Sequence, residues 1–196
     1  MMNVALVQRR LGVRADGVFG PVTLAALLSR LGAPAGTAGP LAQGAAALEG
    51  AVILDSSLRL AHFLAQAAHE TMGFSRMTEI WGPTPAQRRY EGRKDLGNVQ
   101  PGDGYRYRGR GIPHLTGRDN YRRFGSLLGV DLEGQPDLAA EPAIAMAIGG
   151  AYWTARRINA AADRDDVEAV TRLINGGLNG LDDRVKRLDR AKALLL

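Results

Sequence analysis

The sequence predicts an all-α protein, and three observations carry that expectation. Alanine and leucine are abundant, while aromatic residues make up only 6% and β-branched clusters are scarce, too few to build a sheet core. Apolar positions recur at helical spacing in several long windows. Turn chemistry (Gly, Pro, Asp) is densest in 14–23, 32–40 and 82–110, between those windows. A chain of 196 residues suits one medium domain with a small appendage, and it can bury a core unaided. It contains no cysteine, which excludes disulfides and thiolate metal sites.

The elements follow in order. A first helix is predicted over about residues 3–11, on Val4, Leu6, Val7 and Leu11. In "RADGVFGPVT", Asp16-Gly17 marks a turn, and Gly20-Pro21 opens a second helix that runs to about Leu31. Residues 1–32 thus form a short helix-turn-helix element. Residues 33–40 are small or helix-breaking and read as a linker. The main domain spans 41–196. One helix is expected over about 41–54, and another from an N-cap at Asp55 or Ser56 to about Thr71. Residues 82–110 read as irregular. Further helices are expected near 117–128, 136–158, 164–174 and 181–195.

The formal net charge of +5, most of it from arginine, favours an anionic partner such as cell-wall polymer, a membrane surface or nucleic acid. Composition alone is equally well explained by a GC-rich genome. No apolar run approaches the ~18 residues of a membrane span, so no stable membrane insertion is expected. The start, "MMNVALVQRRLG", lacks the apolar stretch of a signal peptide, so synthesis in the cytoplasm is expected. No metal or other cofactor is expected. His62 and His69 share a helix face, but "HETMG" lacks the second histidine of a zinc-peptidase helix. No Ser-His-Asp signature or phosphate loop is present.

Two carboxylates stand out. Leu60, Phe63, Leu64 and Ala67 form a buried stripe, and Glu70 continues it. A carboxylate there is costly unless paired or protonated, and desolvation would suit it to general-acid work. Glu79 follows nine residues later. On a continuous helix it would lie ~13.5 Å further along and on the opposite side. Gly73 instead suggests a chain reversal that could bring Glu79 across a cleft. The plain alternative is a loop surface charge. Glu91, in "RYEGRKDLGN", competes for the same role.

The stretch "GDGYRYRGRGIPHLTGRDNY", residues 102–121, combines glycines that permit close backbone approach with Tyr105 and Tyr107, able to stack on sugar faces. His114, Thr116 and Asn120 could orient a sugar or a water. Interleaved Arg, Gly and Tyr also fit nucleic acid, but one short stretch in a helical chain is weak support and no nucleic-acid partner is expected. In "INGGLNGLDDR", Gly176 and Gly177 turn the chain beside Asn175, ahead of Arg184 and Arg187. A helix C-cap and a solvated basic face would explain that segment too.

Together, "FLAQAAHETMGF", "TEIW", "RYEGRKDLGNVQPGDGYRYRGRGIPHLTGRDNY" and "INGGLNGLDDR" resemble glycoside hydrolase family 19, and its bacteriophage and prophage endolysins more than its plant chitinases. The resemblance covers about residues 41–195. It implies a lysozyme-like helical domain with a substrate cleft, which hydrolyses β-1,4 glycosidic bonds with inversion and without a cofactor. It assigns the general acid to Glu70 and the water-activating base to Glu79, with Glu91 in reserve. It implies substrate contacts from Gly109-Arg110-Gly111, His114, Thr116, Asn120, Tyr121, Asn175 and a following arginine, Arg184 or Arg187; Tyr107 joins them as a sugar contact from its stacking ring alone. His114 departs from the family's usual glutamine.

The segment "VQRRLGVRADGVFGPVTLAAL" resembles half of a peptidoglycan-binding domain. It reads as a reduced wall-binding element or as a packed helical pair. The expected function is therefore an endolysin or muramidase acting on peptidoglycan glycan strands, as a monomer released to the wall through a holin-like pore. A chitinase and a non-catalytic wall-binding protein are the alternatives.

Overall fold

A computed structural model describes residues 2–196. Among the described residues, twelve α-helices follow one another: α1 (Val4–Leu11), α2 (Pro21–Arg30), α3 (Ala38–Ala42), α4 (Ala45–Gly50), α5 (Ser57–Glu70), α6 (Pro85–Arg88), α7 (Asp103–Arg106), α8 (Arg118–Leu128), α9 (Pro142–Ala155), α10 (Asn159–Ala162), α11 (Val167–Asn175) and α12 (Leu181–Leu195). Short 3-10 turns occupy Lys94–Leu96 and Pro136–Ala140. The only β-pairing among the described residues is a pair of isolated antiparallel bridges, Thr78 with Arg110 and Arg110 with Leu115. No helix among them is long and apolar enough to cross a membrane.

Helix α5 is the centre of the fold. Ser56 caps its start by accepting from Arg59 N–H. Every residue from Leu60 to Ala68 is buried, so the apolar stripe of the sequence widens into full burial as α5 packs along α12 and touches α10 and α11. Phe63 meets Trp153 of α9 edge-to-face, with ring centroids 5.6 Å apart. A second, smaller core gathers Tyr107, Leu115, Tyr121, Phe124, Leu132, Ala139 and Ile148. Helix α9 supplies Ala145, Met146 and Trp153 to the first core and Ile148 to the second, tying the two together.

Several boundaries differ from the expectations, each for a packing or backbone reason. The stretch 33–40 is not an open linker. Thr37 N–H donates to Pro34 O at 3.0 Å, and α3 begins at Ala38, which is buried. Leu24, Leu27 and Leu28 of α2 share one core with Leu60 and Leu188, and Arg10 reaches the carbonyl of Leu196 at 3.1 Å. The helix expected over 41–54 breaks at Gly44, because α9 crosses there: a Cβ would sit 2.6 Å from Met146 Cβ. The run 136–158 divides at Pro142, whose missing N–H and fixed φ place it at the first position of α9. Within 82–110, the side chains of Thr84 and Gln87 form a reciprocal capping box that starts α6.

Candidate active site

Glu70 is the last residue of α5, and Arg184 lies in the first turn of α12. Arg184 Nη2 donates to Glu70 Oε1 at 2.5 Å. The same guanidinium donates to the Gln66 side-chain oxygen and to Asn179 O (3.2 Å). The Arg184 side chain is 2% exposed and that of Glu70 is 20% exposed, so this pair has little water around it. One residue away, His69 Nδ1 meets Asp183 Oδ2 at 2.7 Å, and Arg187 Nε donates to the same oxygen at 2.6 Å. Burial opposes ionisation of Asp183, but Arg187 and His69 outweigh it and hold the carboxyl below its usual range. The turn before α12 needs glycine at 180, where φ is +73° and a Cβ would lie 2.3 Å from His69 Cε1. Two adjacent side-chain clamps thus lock the end of α5 to the start of α12.

Glu70 opens onto a cleft of about 350 Å³ that His114, Thr116, Asn120, Asn175 and Arg156 also line. Asn120 Nδ2 donates to Thr116 O (2.7 Å), and Thr116 Oγ1 donates to His114 O (3.0 Å), so the three form one local network. His114 sits at φ +25°, and its buried Nε2 has no hydrogen-bond partner among the described residues.

Glu79 is held differently. Its backbone N–H donates to Gly109 O at 2.9 Å. Its Oε1 accepts from Gly109 N–H at 2.6 Å, and its Oε2 accepts from Gln87 Nε2 at 3.2 Å. Gly109 lies against both candidate groups: a Cβ there would stand 3.0 Å from His114 Cβ and 3.4 Å from Glu79 Cδ. The glycine therefore lets Glu79 and the His114 side of the cleft approach one backbone segment. Both Glu79 oxygens accept hydrogen bonds, which fixes the plane of the carboxylate.

The remaining expected residues separate. His114, Thr116, Asn120 and Asn175 line the cleft with Glu70, as their expected sugar contacts require. Tyr107 does not: it is 1% exposed, donates its hydroxyl to Glu133 O (3.1 Å) and packs edge-on against Tyr121. Tyr121 is equally buried. Its hydroxyl donates to Arg108 O (2.6 Å) and accepts from Arg110 (3.0 Å), and burial pushes it up to about 12. Arg184 is buried too and acts on Glu70 rather than on a sugar. These three residues are framework, because the second core and the α5–α12 junction take up their polar ends. Glu91 is exposed, and its two oxygens accept from Gly102 N–H (2.6 Å) and Gly104 N–H (2.9 Å), clasping the turn before α7. Trp81 is not among the expected site residues. It packs edge-on against Tyr105 at 5.3 Å and lies near Tyr90 at 6.2 Å, two positions after Glu79.

Comparison with known proteins gives the family and the fold. The family model described as chitinase class I, glycoside hydrolase family 19, covers residues 51–167. A Haemophilus influenzae protein described as a glycosyl hydrolase family 19 domain-containing protein is 35% identical over 158 residues, spanning 67% of this chain and 77% of that one. Rice chitinase 8 (Oryza sativa subsp. japonica) is 30% identical over 155 residues, 67% of this chain and 56% of its own. The crystal structure of chitinase C from Streptomyces griseus superposes with a TM-score of 0.70 at 23% identity, over 86% of this chain and 74% of that one. A bacterial family 19 chitinase structure gives 0.56 at 22% identity, over 98% and 94%. The chain belongs to glycoside hydrolase family 19 and has that family's all-α, lysozyme-like fold.

Proposed function

With a family 19 glycoside hydrolase as the premise, we propose that the chain is a bacteriolytic muramidase. It hydrolyses β-1,4 bonds between N-acetylmuramic acid and N-acetylglucosamine in peptidoglycan, with inversion. The observation that carries the reading is the contrast between two carboxylates: Glu70 clamped by Arg184 at the cleft, and Glu79 held by the N–H of Gly109, a residue that also lies against His114. Glu70 protonates the glycosidic oxygen, for which its Oε2, free of hydrogen bonds among the described residues, is available. Glu79 takes a proton from a water on the opposite face of the sugar, and Thr116 helps to place that water. Inversion requires about 6.5–9.5 Å between the two carboxyl groups, room for one water. Asn120, Asn175 and His114 hold the sugar. The peptidoglycan preference is supported by the net charge of +5 and by the wall-binding resemblance of residues 1–32. The attraction to an anionic wall weakens with added salt.

The second reading is a chitinase, favoured by the names of the rice and Streptomyces relatives. One experiment separates the two: reducing-end release, with product masses, from purified peptidoglycan and from chitin oligomers. Muramic-acid reducing ends from the wild type, lost in Glu70→Gln and in Glu79→Gln, are the expected result. Cleavage of chitin oligomers alone would replace the muramidase reading with the chitinase one. Activity that survives Glu79→Gln would return Glu79 to a surface role and promote Glu91.

A further inference from the structure

A second depression is larger than the cleft that holds Glu70. It measures about 760 Å³, is walled chiefly by Tyr105, Arg106, Arg108, Arg110, Asp137 and Glu141, and shares no lining residue with the Glu70 cleft. Two of its lining residues, Arg108 and Arg110, flank Gly109, whose N–H holds the candidate base Glu79. The aromatic surface is continuous as well, since Trp81, two residues after Glu79, packs against Tyr105.

The three arginines are not equivalent. Arg110 is committed: it pairs with Asp137 at 2.7 Å and donates to Tyr121. Arg106 donates to Tyr107 Oη (3.2 Å) and Gly134 O (2.8 Å). Arg108 donates only to Tyr105 O (3.1 Å), and its guanidinium lies over the Tyr105 ring, 4.1 Å from the centroid. Arg106 and Arg108 form no ion pair among the described residues; Arg106 is exposed, whereas Arg108 is half-buried, unlike the buried or half-buried Arg110, Arg118 and Arg184, which meet carboxylates. Stacking on Tyr105 restricts Arg108 before any ligand arrives, and a planar guanidinium matches a carboxylate through two parallel hydrogen bonds. Glu141 on the rim, also without an ion-pair partner among the described residues, opposes an anion. The three arginines still outnumber Asp137 and Glu141.

We infer that this depression binds the carboxylate-bearing peptide substituent of a muramic acid residue while the glycan passes Glu79. Arg106 and Arg108 are then the residues that favour peptidoglycan over chitin, which carries no carboxylate. The inference rests on the peptidoglycan reading above for its biological sense, but it is testable without cleavage.

The probe is N-acetylmuramyl-L-alanyl-D-isoglutamine, which contains no glycosidic bond between sugars, set against the same compound with its carboxylate amidated. Both are titrated into the full chain at fixed ionic strength and followed by NMR. The acid is expected to bind about tenfold tighter than the amide, the gain of a charge-assisted pair. The double variant Arg106→Gln/Arg108→Gln should erase that ratio, Arg108→Lys should keep part of it, and Glu141→Gln should raise it. Equal affinity for acid and amide, a ratio that survives the double variant, or displacement by inorganic phosphate at matched ionic strength would overturn the inference. Wall cleavage assayed in parallel keeps the two ideas apart. Cleavage without acid–amide discrimination removes this site alone; discrimination without cleavage removes the muramidase reading alone.

Discussion

The two candidate catalytic carboxylates sit in regions built on opposite plans. Glu70 ends a helix buried from Leu60 to Ala68 and is gripped by side chains: Arg184 on its own carboxylate, and the Asp183–Arg187 pair on its neighbour His69. Glu79 lies in a region of short helices and isolated bridges and is gripped mainly by backbone, through two hydrogen bonds with Gly109 and one from Gln87. The difference teaches where each function is vulnerable. The acid shares its supports with the main core, so disturbing them disturbs the fold. The base is placed by a local loop scaffold, so disturbing it disturbs chemistry first.

The sharpest break of this comparison is removal of the acid itself. Glu70→Gln is expected to lower kcat about 10²- to 10⁴-fold, the usual worth of a positioned general acid, as measured by reducing-end release. Next is Arg184→Met, which strips the partner from a nearly buried carboxylate. Leaving one member of a buried pair alone costs about 3–5 kcal/mol, and at this chain length that lowers the unfolding midpoint by roughly 6–20 °C. Activity and stability should fall together. In the other region, Gln87→Ala removes one hydrogen bond from Glu79, together with those to Ile80 O and from the N–H groups of Gly82 and Thr84. The bond to Glu79 is worth about 1 kcal/mol. That corresponds to a roughly fivefold loss in kcat/KM, and the loop bonds lower thermal stability less than the loss of Arg184 does. If Gln87→Ala unfolded the protein as readily as Arg184→Met, the contrast would collapse.

The smallest expected effect is a pH dependence confined to the core side. His62 on α5 is fully buried and meets Asp165 at 2.8 Å, and burial lowers its pKa despite Asp165. The unfolded chain therefore takes up a proton that the fold resists. Stability is fully present above the unfolded value of about 6.5 and is lost as pH falls from there through the depressed folded value. Asp165, whose carboxyl is pushed up by burial but held lower overall by Lys192 and His62, adds a separate loss below the ordinary aspartate range. Unfolding midpoints measured from pH 7.5 to 5 should decline in the wild type and flatten in His62→Gln.

The same contrast explains what the sequence made legible. Helix α5, its Ser56 cap and Glu70 at the end of its stripe could be read directly, because helical periodicity and capping are local. The polar cluster of His114, Thr116 and Asn120 was legible as a motif and lies in the cleft. Tyr107 and Tyr121, expected at the sugar, are buried instead. They sit in a Gly-, Arg- and Tyr-rich run with no period from which to tell inside from outside, and only contact with Phe124 and Leu132 in the second core decides it. Arg184 reads as part of a solvated basic face until Glu70 and Gln66, more than a hundred residues earlier, are brought against it. The break at Gly44 likewise comes from Met146 across the fold. Pro142 was a local signal for a helix start inside a run read as continuous.

The central claim is that Glu70 and Glu79 act on opposite faces of one sugar as acid and base. Its most direct test is the anomeric configuration of the first-formed product, followed by NMR immediately after wild-type enzyme meets a β-1,4-linked amino-sugar substrate it cleaves. Initial α-anomer, equilibrating only later by mutarotation, is the predicted result. Initial β-anomer would mean retention. It would contradict a water activated by Glu79 and require a different second step.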